Sequence, residues 1–77
     1  MEDLKGKIAI IAVDYLAKDG LVQGDPVEIL DQREEPFFRD HKVVKIRVRS
    51  LRHPDVEKEI FKSEVVAIRD KNAESKA

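Results

Sequence analysis

Residues 21–30 constrain the fold of this chain most, because there a tight turn leads directly into a short strand. Gly24, Asp25 and Pro26 suit a turn: glycine tolerates a positive φ, aspartate can bond to its own backbone, and proline fixes φ. The residues that follow alternate between the two faces of a chain with the period of a half-buried strand: Val27, Glu28, Ile29, Leu30, Asp31 and Gln32. In a chain of only 77 residues, this combination predicts a small β-barrel.

The length of the chain allows one small domain, which buries only about 60% of the surface that its unfolded chain exposes. The sequence has no cysteine, which suits a reducing compartment, and no apolar run of about 18 residues that would span a membrane. We therefore expect a cytoplasmic protein with one domain over residues 1–70. Residues 71–77 have no large apolar side chain and are predicted to form a mobile tail.

Periodicity and turn residues together predict a five-stranded, all-β chain. The predicted strands cover residues 7–13, 26–33, 42–50, 56–61 and 65–69. Between them we expect a short helical turn at 14–18, a polar loop at 34–41, a turn at 52–55 and a single 3₁₀ turn at 62–64. For the helical turn, Asp14 is the predicted N-cap and Gly20 the C-cap. Residues 8–18 also carry a helical pattern of apolar side chains, so strand and helix both stay open there.

The apolar side chains that fall on one face of these strands form the predicted core. They are Val27, Ile29, Val44, Ile46, Val48, Ile60, Val66 and Ile68.

Five short strands with a helical turn before the last one resemble the SH3-like small-barrel superfamily over about residues 6–69. The resemblance rests on Gly24 and Asp25 before the second strand, and on Phe-Lys-Ser-Glu-Val-Val-Ala-Ile at residues 61–68. Residues 12–15, Ala-Val-Asp-Tyr, are also similar to the first strand of eukaryotic SH3 domains. The chain has no tryptophan and no Pro-x-x-Tyr before the last strand, so the resemblance does not extend to a groove for proline-rich ligands.

A second stretch is similar to the ferrous-iron transport accessory family of FeoA-like barrels. That family has a short helix followed by Gly-Leu-x-x-Gly-x-x-Val, and residues 20–27 read Gly-Leu-Val-Gln-Gly-Asp-Pro-Val. The match covers only the entry into the second strand.

Charged residues make up 40% of the chain, yet the net charge is only −1, so their distribution carries the information. An acidic block at residues 25–35 is followed by a basic block at 42–53 and an acidic one at 55–64. In consecutive antiparallel strands these blocks become neighbours, which predicts cross-strand ion pairs. The other interpretation is a basic binding stripe along the third strand, formed by Lys45, Arg47 and Arg49 with Arg52 beyond it.

Phe37 and Phe38 lie in a predicted polar loop, where neighbouring side chains point to opposite sides and cannot easily both be buried. One interpretation packs one phenylalanine over the barrel end and leaves the other on the surface. The other interpretation makes the outward phenylalanine, with Arg39, an anchor for a partner protein, since aromatic and arginine side chains dominate binding energy at interfaces.

The sequence gives little support to catalysis. His41 and His53 are single histidines without a second ligand at metal spacing, and neither Ser50 nor Ser63 has a recognisable base. The glycines form no phosphate-binding loop. We therefore predict a protein that is not an enzyme and has no metal or cofactor.

Taken together, these patterns predict a five-stranded SH3-like barrel with a short helical turn after strand 1, acting as a non-catalytic protein-interaction or accessory module. The candidate partner-binding residues are Phe37, Phe38, Arg39, Lys45, Arg47, Arg49 and Arg52. The alternative is an RNA- or DNA-binding small barrel that uses the basic stripe to contact phosphates.

Overall fold

The computed structural model describes residues 3–71, which are mostly β-structure. One antiparallel sheet contains all five strands in the order β4-β3-β2-β1-β5. The strands are β1 Ile8–Ile11, β2 Pro26–Phe38, β3 His41–Ser50, β4 Glu57–Phe61 and β5 Val65–Arg69. Two 3₁₀ turns lie between these strands: η1, Ala17–Asp19, follows β1, and η2, Lys62–Glu64, joins β4 to β5. The predictions of an all-β chain, five strands and a short helical turn after strand 1 are confirmed.

The first strand is shorter than predicted and ends at Ile11, which excludes the helical alternative for its residues. The helical turn starts later than predicted: its N-cap is Leu16, and no side chain caps it, so the assignment of Asp14 as N-cap is wrong. Leu16 is buried in the core while Asp14 is exposed, and packing therefore sets where this turn begins. Gly20 closes the turn as predicted, with φ of 96° and its N–H donating to the Ala17 carbonyl at 3.0 Å.

The turn before β2 is held as its residues suggest. Gly24 adopts φ of 93°, and its N–H donates to the Ile11 carbonyl at 2.9 Å. The Asp25 carboxylate accepts the Val22 N–H at 3.3 Å. These bonds bring the start of β2 alongside β1, with Pro26 opposite Ile10.

The predicted loop at residues 34–41 is wrong, because β2 and β3 continue as a hairpin to Phe38 and His41. Pro36 lies opposite Lys42 within this ladder. On β3, the Ser50 N–H donates to the Val56 carbonyl on the β4 side. Backbone groups alternate in direction along a regular strand, so Lys42, eight residues earlier, also points its N–H and C=O toward the β4 side. Pro36 therefore occupies a pair without ladder bonds, where a missing N–H costs nothing.

The core follows the prediction except at its last strand. Of the eight predicted residues, five are buried, and Val44 and Ile68 pack partly buried against them. Val66 is 51% exposed, so its placement in the core is wrong, and Val65 is buried in its place. Ala67 has φ of 55° and the β1–β5 register shifts nearby, which breaks the alternation of inward and outward side chains. Further core side chains come from outside the predicted set: Leu4, Ile8, Ala9, Ile11, Leu16 and Leu21.

The strands beside the β2–β3 hairpin pair only with the part of it that lies away from its turn. β1 pairs with residues 26–28 of β2, and β4 pairs with residues 45–49 of β3. Residues 34–44, here called the arm, therefore extend beyond both neighbouring strands. No helix in the described part of the chain is long and apolar enough to cross a membrane. The predicted mobile tail lies outside the described residues except for Lys71, whose ammonium is 3.5 Å from the Glu28 carboxylate.

Candidate interaction surface

The tip of the arm presents two phenylalanine side chains to solvent. Phe37 is 71% and Phe38 60% exposed. The interpretation that packs one of them over the end of the core is therefore wrong. No strand of the described chain lies beside the arm, so the core does not reach either phenylalanine.

Arg39 completes the tip. It occupies the two-residue turn of the hairpin with Asp40 and has φ of 51°, a region that non-glycine residues rarely adopt. Its guanidinium carbon lies 5.4 Å from the centre of the Phe38 ring, within range of a cation–π contact. The structure thus brings together the three tip residues that the sequence singled out.

The basic residues of the predicted stripe each lie beside a carboxylate. Their partners are on neighbouring strands or turns: Lys45 with Glu35 at 3.0 Å, Arg47 with Glu57 at 3.2 Å, Arg49 with Glu28 at 3.3 Å, and Arg52 with Asp25 at 3.3 Å. The predicted cross-strand ion pairs are therefore present. The outer face of β2, β3 and β4 consists of alternating positive and negative side chains, and its positive charge is locally compensated.

Glu35 shows the electrostatic consequence of this pattern. The hydrogen bond that it accepts from Lys45 lowers the pKa of Glu35 below its ordinary value; desolvation opposes this shift, and the nearby Arg33 guanidinium adds to it. Arg33 also contacts Glu59, at 2.8 Å. Since these groups are all partly exposed, water and salt screen the attraction, and each pair contributes modestly to stability.

The residues considered for chemistry have structural or surface positions. His41 and His53 are both exposed. Ser50 is fully buried, and its hydroxyl accepts the N–H groups of Arg52 at 3.2 Å and His53 at 3.0 Å, which holds the loop after β3. Among residues 3–71, no group of three His, Asp or Glu side chains comes close enough to hold a metal ion.

A groove at the base of the arm is a feature that sequence reasoning missed. It has a volume of about 390 Å³ and is lined by Lys42, Val43, Val44, Phe61, Lys62 and Ser63. Phe61, the last residue of β4, is 42% exposed, and the Lys45 ammonium lies 5.6 Å from the centre of its ring. Alternation around the buried Ile60 could have predicted an outward Phe61. The groove itself depends on β4 ending opposite Lys45, which no local pattern indicates.

Glu64 fixes the wall of this groove. Its buried carboxylate accepts the Phe61 N–H at 2.9 Å, which ties η2 to the end of β4. The Tyr15 hydroxyl also donates to Glu64, and this hydrogen bond raises the pKa of Tyr15 above its ordinary value. The Glu64 backbone carbonyl accepts the Ala12 N–H at 2.9 Å, so η2 is held both to β4 and to the residue after β1.

Comparison with known proteins yields no match, whether with protein-family models, curated proteins or solved structures. The fold and surface therefore define the class only as far as a mostly β chain with one antiparallel five-stranded sheet.

Proposed function

We propose that this chain is a non-catalytic protein-interaction module, a cytoplasmic accessory subunit built as an SH3-like small barrel. The barrel is supported by the connection between the two edge strands, since β4 and β5 are joined by only the three residues of η2. A link this short requires the sheet to bend until its edges approach each other at that end. Strand number, strand order and the 3₁₀ turn before the last strand also suit the SH3-like pattern.

The exposed pair Phe37 and Phe38, held on a projecting arm, carries the proposal. Burying one phenylalanine side chain contributes about 1.5–3 kcal/mol, so a monomer that leaves two adjacent ones in water forgoes a large stabilisation. Aromatic side chains with a neighbouring arginine are typical of the anchors that dominate protein interfaces. The partner is therefore expected to cover the tip formed by Phe37, Phe38 and Arg39.

The basic stripe supports a protein partner over RNA or DNA. Phosphates that approach Arg47 and Arg49 would have to displace the carboxylates of Glu57 and Glu28, both within 3.3 Å. Nucleic-acid affinity depends on cations that are free to replace counterions around the phosphates. A face whose cations are already paired is poorly suited to that exchange.

Site-specific photo-crosslinking in the native host tests the proposal. A benzophenone amino acid replaces Phe37 in the full chain, and a matched variant carries it at Val22, which is exposed on the turn before β2. We expect discrete protein adducts from position 37 and none of them from position 22. Equal, diffuse adducts from both positions, or no adduct from position 37, would contradict the tip as an anchor.

A further inference from the structure

The arm has one strand edge that the rest of the sheet leaves open. β4 ends at Phe61, opposite Lys45, while β3 continues through four more residues to His41. By the alternation that the Ser50–Val56 bond establishes, Lys42 and Val44 direct their N–H and C=O groups to this side. The Lys45–Phe61 pair is flanked by the Val44 carbonyl and the Lys62 N–H, which face each other. The N–H of Val44 and both backbone groups of Lys42 therefore stand in the positions where a longer β4 would have continued.

Other edges of the described sheet carry features that hinder strand addition. On the opposite edge of the arm, Pro36 has no N–H to donate. β5 is interrupted at Ala67 by its positive φ and by the register shift against β1. β4 is only five residues long and presents the charged run Glu57, Lys58 and Glu59. Bulges, short length, charge and proline are the devices by which proteins protect sheet edges. The β3 segment at residues 41–44 has no proline, and the register shift beside it places the extra residue, Phe37, on β2.

The groove beside this open edge combines apolar surface with positive charge. Val43, Val44 and Phe61 supply the apolar part, and Lys42 and Lys62 supply the charge; no acid lines it. Lys42 lies 3.6 Å from Glu34, a longer separation than those of the stripe. Lys62 has no carboxylate within 4.0 Å among residues 3–71, so its charge is available to an incoming group.

We propose that the β3 edge at residues 41–44 binds an extended, acidic segment of a partner protein as an added strand. The proposal rests on the proposed function, because it assumes a protein partner and places its segment on the arm that carries the phenylalanine tip. Main-chain hydrogen bonds to Lys42 and Val44 supply affinity, and alternate side chains supply specificity. Apolar side chains of the segment contact Val43 and Phe61, and its carboxylates meet Lys42 and Lys62.

The positive charge of the groove favours an acidic segment over a second copy of this chain as its occupant. Antiparallel pairing of two such edges would bring the Lys42 and Lys62 side chains of both copies into one groove, where like charges repel. An acidic strand instead compensates both lysines as it binds.

A defined peptide tests the site. The probe has about eight residues, enough to span the four-residue edge, with valine and glutamate alternating and both ends capped. It is titrated into isotope-labelled full chain and followed through backbone amide signals. We expect shifts concentrated at residues 41–45 and 61–63, and slower hydrogen exchange at the amides of Lys42 and Val44. A control peptide with lysine in place of glutamate is expected to bind with an affinity at least about tenfold lower.

Three variants separate the contribution of the backbone from that of the charge. Lys42→Pro removes an outward N–H without removing a ladder bond to β2, and we expect it to abolish binding that Lys42→Gln only weakens. Lys62→Glu is expected to weaken binding of the glutamate peptide and to strengthen that of the lysine peptide. If Lys42→Pro fails to fold, a peptide N-methylated at alternate residues makes the same test on the wild type.

Some outcomes would overturn the edge site. These are equal binding of the two peptides, shifts located away from residues 41–45, or full binding by the N-methylated peptide. Crosslinking at position 37 with failure of the peptide rejects this inference alone. Peptide binding without that crosslink rejects the phenylalanine tip and leaves the edge site standing.

Discussion

Three buried polar side chains each hold a turn of this protein in place. Asp25 accepts the Val22 N–H before β2, Ser50 accepts two N–H groups of the loop after β3, and Glu64 accepts the Phe61 N–H at η2. The role of Asp25 could be predicted, because Gly-Asp-Pro is recognisable turn chemistry. The roles of Ser50 and Glu64 could not, since their burial depends on segments that only the folded chain brings together.

Two glycines with nearly the same backbone angle offer a matched test of strain against packing. At Gly24, with φ of 93°, an added Cβ would meet nothing within 4 Å, whereas at Gly20, with φ of 96°, it would lie 3.1 Å from Val56. We expect Gly24→Ala to lower the free energy of unfolding by about 1–2 kcal/mol through backbone strain alone. Gly20→Ala should cost more, measured by denaturant unfolding.

The background variant Val56→Ala identifies the source of that difference. With the Val56 side chain shortened, the extra cost of Gly20→Ala should fall toward the cost at Gly24. If both alanine variants lose the same free energy of unfolding in the wild-type background, the Val56 side chain moves aside without cost.

The pKa of Glu35 provides a test of the ion pairs on the outer face. Its folded-state pKa is lowered by Lys45, so its stabilising contribution is present above the ordinary carboxyl pKa and is lost as the pH falls through the folded value. In Lys45→Met, the pKa of Glu35 should rise toward its ordinary value in a carboxyl-carbon NMR titration. Lys42→Met is the control, because Lys42 contacts Glu34 instead, and it should leave the pKa of Glu35 nearly unchanged.

At the scale of elements, local alternation predicted most strands and failed where the strands depart from regularity. β5 and the 3₁₀ turn η2 have their predicted bounds, and β3 begins one residue earlier than predicted. The arm was predicted as a loop because Pro36 and the adjacent phenylalanines interrupt any alternating pattern. Only the pairing with β3 shows that Pro36 occupies a position without ladder bonds.

The irregularity in β5 gives a prediction on two adjacent residues. Val65 is 5% exposed and Val66 51%, although regular continuation of the pattern predicted the reverse. Val65→Asp places an unpaired charge in a small core and should cost several kcal/mol, enough to unfold a domain of this size. Val66→Asp should shift the melting temperature by only a few degrees. Thermal unfolding by circular dichroism distinguishes the two variants. A greater loss of stability in Val66→Asp would show instead that β5 alternates regularly, with Val66 buried.

At the scale of the whole molecule, the acidic, basic and acidic blocks of the sequence become three adjacent strands. Their order β2, β3, β4 in the sheet turns a separation of charge along the chain into compensation across it. The sequence indicated these pairs, since the blocks alternate at strand length. It could not indicate the open edge of β3, which follows from the unequal lengths of β3 and β4.

The two interpretations of the basic stripe, pairing within the sheet and binding of nucleic acid, differ in what Arg47 and Arg49 do for the molecule. In the double variant Arg47→Gln and Arg49→Gln, the pairs with Glu57 and Glu28 are lost. The two arginine side chains are 56% and 39% exposed, so screening by solvent limits the expected loss of stability to about 0.5–1.5 kcal/mol in total. Because the loss is electrostatic, it should shrink as salt is added, which denaturant unfolding at low and high ionic strength measures.

Binding to labelled RNA and duplex DNA by the same double variant completes this test. If the arginines mainly pair with carboxylates within the sheet, wild type and variant should both bind nucleic acid weakly at ~150 mM salt, within the range of non-specific affinities. If they contact phosphates, wild type should bind RNA or DNA with submicromolar affinity. The variant should then lose that affinity with its stability intact, and the slope of log affinity against log salt should flatten by about one unit per lost contact. We expect the first result, because a carboxylate already lies within 3.3 Å of each arginine. The second result would favour a nucleic acid over a protein as the partner of this chain.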